Sequence, residues 1–129
     1  MTPHRTPRRW LACVVVLLLL LGPVGQGAQS LTPIGAYRCD GRQHGESYQM
    51  PLTVSAFGDT YRFAWGDPPT LVGLGVLHQG VMAVAIVRPS TGAVGVALYQ
   101  VRPGALSGIW SRGDGSVDPE TCSVPVGPN

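Results

Sequence analysis

The residues that could do acid–base or nucleophilic chemistry are few and scattered. Beyond the first thirty residues the histidines are His44 and His78, and both fall among turn-forming neighbours. Neither belongs to an HExxH, a serine elbow or a cysteine–histidine grouping, so their spacing offers no metal-binding or triad chemistry. Asp59, Asp67 and Asp114 each adjoin a glycine, the setting of an Asx turn and not of general acid–base work. Arg112-Gly113-Asp114 spells the tripeptide that integrin ligands present on hairpin tips, and within Ser-Arg-Gly-Asp-Gly-Ser it reads equally well as a turn. Trp65, Trp110 and Tyr99 could stack on a sugar or line a pocket, although aromatics at strand period usually fill a core. No catalytic residue, metal set or cofactor is expected.

The cysteines say more. Cys13 precedes a leucine run, whereas Cys39 and Cys122 stand near the two ends of the chain beyond that run. An even pair in an exported chain predicts a disulfide, and a metal-binding pair would want CxxC spacing. The loop it closes spans most of the remaining chain, worth about 4–5 kcal/mol on chain-entropy grounds.

Export is expected from residues 1–27. Arg5, Arg8 and Arg9 precede Leu11–Gly22, an almost unbroken run of Leu, Val and Ala, and small residues follow Pro23. That is the order of a secretory signal peptide, with cleavage after Gly27 or one residue later. A helix of this run would rise about 18 Å, short of the roughly 30 Å hydrocarbon core, which disfavours the alternative of an uncleaved anchor. Cleavage would leave Arg38, Arg42, Arg62, Arg88, Arg102 and Arg112 against seven acids, so the basic pI of 8.6 belongs to the leader. The remainder has no basic patch for nucleic acid or anionic lipid. Localisation is expected to be periplasmic or secreted in a bacterium.

The elements that must position these side chains are strands. No stretch after residue 30 keeps a 3.6-residue period without meeting Gly or Pro, and turn residues recur about every ten positions, the spacing of an all-β meander. Strands are expected at 34–40, 49–56, 60–66, 70–77, 81–87, 94–102, 105–111 and 117–123, between a linker (28–33) and a flexible tail (124–129). The apolar segment Leu71–Val87 carries His78-Gln79-Gly80 at its centre, which suits a hairpin and not a membrane span. A three-residue loop with Gly80 left-handed would pair Leu77 with Val81 and Val76 with Met82. On that register, large residues share one face and small residues the other. The large set (Val72, Leu74, Val76, Met82, Val84, Ile86, Val94, Val96 and Leu98) is expected inside, with Tyr61, Phe63, Trp65, Leu106 and Trp110. The small set, Gly73, Gly75, Ala83, Ala85, Gly95 and Ala97, would form a smooth outer contact strip. With the faces reversed it would instead leave room inside for an apolar ligand. The expected fold is all-β, an up-and-down barrel of about eight strands within 34–123, with the disulfide joining the first and last strands. A β-sandwich is the alternative.

Two resemblances accompany this reading. Gly35 and Tyr37; Gly58, Asp59, Tyr61 and Trp65; Gly73 and Gly75; Ala83 and Val84; Gly95 to Tyr99; and Gly104, Leu106, Gly108 and Trp110 together resemble a family of small exported bacterial β proteins of unknown function. Locally, Tyr37-Arg38-Cys39-Asp40-Gly41 with Tyr48 and a C-terminal cysteine is similar to the opening of bacterial C-type lysozyme inhibitors, also exported disulfide-bonded barrels. Their Ser-Gly-rich inhibitory loop is absent here. The expected function is therefore non-enzymatic: a protein-contact module, with a carrier of a small apolar ligand or a lysozyme-inhibitor-like protein as alternatives. Nucleic acid and a membrane span after cleavage are not expected.

Overall fold

A computed structural model describes residues 32–126. The expected leader (1–27), most of the linker and residues 127–129 of the tail lie outside the described residues. The chain forms eight strands: β1 (Gly35–Gln43), β2 (Glu46–Phe57), β3 (Thr60–Gly66), β4 (Pro69–His78), β5 (Val81–Arg88), β6 (Ala93–Arg102), β7 (Ala105–Ser111) and β8 (Asp118–Ser123). Each pairs antiparallel with its sequence neighbour, and β8 returns to β1, so the sheet is a closed barrel. Cys39 and Cys122 stand directly opposite each other across that seam and are joined by a disulfide. Closure leaves no strand edge open to pair with another chain.

The strands follow from alternating side chains and short turns. In β1 the inward side chains include Tyr37 and Cys39, with Arg38, Asp40 and Arg42 outward. β1 and β2 run longer than expected because they meet at a two-residue turn, His44-Gly45, with φ of 51° and 81°. Gly41 and Tyr48, expected in a loop, are thereby brought into the sheet. The end of the linker is also less loose than expected. Pro33 is fully buried, and its carbonyl accepts a hydrogen bond from the Tyr37 hydroxyl at 2.8 Å.

The β4–β5 hairpin departs from the expected register by one residue. Its loop is Gln79-Gly80 alone, with φ of 50° and 77°, and the pairs are His78 with Val81, Leu77 with Met82 and Val76 with Ala83. A two-residue loop with both residues left-handed matches the right-handed twist of the flanking strands, and this outweighs the poor fit of Gln to that conformation. A slip of one residue turns every side chain of a strand to the other face. Val72, Leu74 and Val76 therefore point outward, and so do Val94, Val96 and Leu98 of β6, all between 36% and 67% exposed. Met82, Val84 and Ile86 of β5 point inward as expected.

Interior volume explains the arrangement. An eight-stranded barrel has just enough room for its inward side chains, and three adjacent strands cannot all supply large ones. Gly73 and Gly75 of β4 lie inside against Trp65, Phe63, Met82 and Val84, where an added Cβ would approach to within about 3 Å of several of them. Phe63 in turn stacks on Trp65 at 5.4 Å and on Tyr99 at 6.3 Å between ring centroids. Glycine on one strand thus makes space for an aromatic ring on the next.

Candidate ligand-binding site

One end of the barrel is not filled. A cavity of about 390 Å³ reaches inward between the β1–β2, β5–β6 and β7–β8 connections, within the size range of small-molecule sites. Its apolar walls include Met50, Trp65, Leu71 and Ile86, and Tyr48, Tyr99 and Trp110 stand with Glu120 among its lining. Arg88, Arg112, His44 and Asp114 surround the mouth.

Glu120 is the unusual member. It is only 5% exposed, yet it accepts hydrogen bonds from the Tyr48 hydroxyl at 2.5 Å and the Tyr99 hydroxyl at 2.6 Å. The register explains how two tyrosines reach one carboxylate. Gly41 of β1 is paired with both Tyr48 of β2 and Glu120 of β8. Gly108 of β7 is paired with both Tyr99 of β6 and Glu120. Each tyrosine therefore lies two strands from the carboxylate, and the strand between contributes a glycine with no side chain to obstruct it. At Gly41 a Cβ would collide with the Tyr48 hydroxyl, and at Gly108 with the Leu98 carbonyl. Five consecutive strands supply this one polar layer.

Burial raises both phenols well above their ordinary value of 10.0, and the charge and hydrogen bonding of Glu120 raise them further. The Trp110 indole packs edge-on against Tyr48 at 6.1 Å between centroids. Its Nε1–H is buried and finds no hydrogen-bond partner among the described residues.

The Sγ of Cys122 is 3.3 Å from Glu120 Oε1. A disulfide sulfur has no proton to donate, so this is a packing contact. Cys39, Glu120 and Cys122 cluster closely, but two of the three would-be metal ligands are spent in the S–S bond. At the mouth, His44 Nε2 is 3.4 Å from Asp114. Hydrogen bonds from the Ser116 side chain and backbone, ahead of the His44 charge, hold the Asp114 carboxyl below its ordinary value. With the Gln43 amide turned so that its oxygen faces the guanidinium, Arg112 donates to it at 2.8 Å, which ties the β7–β8 connection to the end of β1.

Of the residues singled out from sequence, Trp65 and Trp110 line the cavity, Phe63 is buried in the core beside it, and Tyr61 is half-buried against that core. The six small residues do not share one outer face: Gly73, Gly75, Gly95 and Ala97 point inward, and Ala83 and Ala85 outward. Gly95 lines the cavity, so the reversed-face alternative describes β4 and β6. Sequence reasoning missed Glu120, Tyr48, Gly41 and Gly108. A usable signal existed at two of them, because Glu120 and Gly41 each lie two residues from a disulfide cysteine and so share its inward face. Compared with protein-family models and with curated proteins, the chain matches none.

Proposed function

We propose that this chain is an exported, non-enzymatic binding domain that carries a small, largely apolar molecule in the end cavity. The observation that carries this reading is a recess with apolar walls and one buried carboxylate at its base, the combination of apolar lining and few placed polar groups typical of ligand sites. Export is supported by the leader-like first 27 residues and by a disulfide, which suits an oxidising compartment. The non-enzymatic part rests on the polar groups themselves. Glu120 is held by two tyrosines and Asp114 by Ser116 and His44, and neither arrangement sets a serine or cysteine nucleophile against a histidine among the described residues.

A second reading, protein contact, is favoured by a different surface. Leu74 and Val76 of β4 and Val96 and Leu98 of β6 flank the outward Ala83 and Ala85 of β5. Together with Val72, Val94 and Ile109 they form an exposed apolar face, the kind of surface that marks a contact site. The outward faces of β1 and β2 by contrast carry Arg38, Asp40, Arg42 and Gln49.

The two readings separate with a fluorescent naphthalene probe. Trp65 and Trp110 both line the cavity and would transfer energy to a probe bound there. The expected result is one saturable site that Leu71→Trp weakens at least tenfold by filling the recess, while the outer variant Leu74→Ser/Val96→Ser leaves it unchanged. Loss of probe binding in the outer variant alone would reject the carrier reading in favour of protein contact.

A further inference from the structure

Resting on the cavity as the ligand site, we propose that its ligand is an organic ammonium: a primary amine on a compact apolar body, with the nitrogen seated against Glu120. The first support is the buried carboxyl group of Glu120, which has no ion-pair partner among the described residues. The two arginines that share its cavity, Arg88 and Arg112, stand at the mouth. Arg38 bonds Gln49, Arg42 lies on the outer face of β1, Arg62 covers the Phe57 ring, and Arg102 bonds Gln100. An ionised carboxylate removed from water is costly unless a cation joins it.

Hydrogen-bonding capacity gives the second support. Each carboxylate oxygen offers about two lone-pair sites, and each tyrosine takes one, on different oxygens. The remaining sites can accept N–H donors, which a primary ammonium supplies and a carboxylic acid, once ionised, does not. The tyrosines cannot supply countercharge, since they are neutral donors whose protons the burial retains.

The third support is the set of rings. Tyr48, Trp65, Tyr99 and Trp110 all line the same cavity as Glu120. Aromatic rings tolerate both a cation and an apolar body, so a lining that holds four of them suits an ammonium carried on a compact hydrocarbon. A neutral ligand would use the walls but would leave Glu120 without an ion-pair partner.

The test is calorimetric titration of the oxidised protein with three compounds of one skeleton: cyclohexylmethylamine, cyclohexylmethanol and cyclohexanecarboxylate, at neutral pH. The amine is expected to bind at least tenfold more tightly than the alcohol, and the carboxylate not measurably. Glu120→Gln keeps the shape and an acceptor for one tyrosine while removing the charge, and it should erase the difference between amine and alcohol. The wild-type comparison stands even if that variant does not fold. Equal affinity for amine and alcohol, or preference for the carboxylate, overturns the ammonium assignment and leaves the carrier reading intact. Failure of all three while the naphthalene probe still binds has the same meaning, and failure of the probe as well removes both.

Discussion

At the scale of single residues, a carboxylate organises the interior. Glu120 satisfies two buried hydroxyls, so truncation by Glu120→Ala would leave both without an acceptor. The expected loss is about 2–4 kcal/mol, read as a shift of the denaturant midpoint. The glycines facing it are as constrained as the polar groups. Gly41→Ala would drive a methyl group into the Tyr48 hydroxyl and is expected to lower stability by about 1–3 kcal/mol, with part of the loss recovered in Gly41→Ala/Tyr48→Phe. An unchanged midpoint for Gly41→Ala would mean that Tyr48 does not lie across this glycine. The phenols also fix a pH dependence. Their folded pKa values lie above the unfolded value of 10.0, so their contribution is complete below about pH 10 and declines above it, as the unfolded chain sheds protons the folded chain keeps. Each phenol that keeps its proton in the folded chain contributes a decline that begins near pH 10 and approaches about 1.4 kcal/mol per pH unit above it. Midpoints measured between pH 8 and about 11 should show this slope, and Tyr99→Phe should reduce it. Little of this layer was legible in the sequence. Its members are 72 and 21 residues apart along the chain, and nothing local marks their meeting. Only the parity of Glu120 and Gly41 with the cysteines hinted at where they point.

At the scale of elements, turns decided what pattern alone could not. Alternation and the recurrence of Gly, Pro and Asp place all eight strands, and those at 60–66 and 105–111 match residue for residue. Register is a finer property. Large and small residues alternate cleanly along β4, β5 and β6, so both possible faces look self-consistent, and the hairpin loop chooses between them. His78-Gln79-Gly80 is ambiguous because Gln is an uncommon left-handed residue, and reading a three-residue loop reverses β4. The same type of turn recurs at His44-Gly45, where the sequence suggested a longer loop. Asn visits the left-handed region more readily than Gln, so Gln79→Asn is expected to stabilise the protein by about 0.5–1 kcal/mol in thermal or chemical unfolding. A destabilised Gln79→Asn variant would contradict the two-residue loop and the facing of β4 that depends on it.

At the scale of the whole molecule, a narrow barrel is closed by sulfur and left hollow at one end. The disulfide links residues 83 apart across the β1–β8 seam, and a loop of that length is worth about 4–5 kcal/mol of unfolded-state entropy. Cys39→Ala/Cys122→Ala should therefore lose several kcal/mol, and equal stability with and without the bond would show that β-pairing alone closes the barrel. Closure was legible because two cysteines at opposite ends of a meander need their strands adjacent. The hollow was legible only as an alternative, because it depends on which face of β4 and β6 turns inward. That sidedness also sends the large apolar residues of β4 and β6 to the surface while glycine and alanine line the interior. The most direct test of the cavity as a ligand site is a nuclear magnetic resonance titration of the oxidised, isotope-labelled protein with cyclohexylmethylamine, following the indole N–H signals of Trp65 and Trp110. Both signals should move together and saturate with a single affinity. Stationary indoles, with shifts confined to the amides of the outward β4–β6 surface, would contradict the cavity as the site.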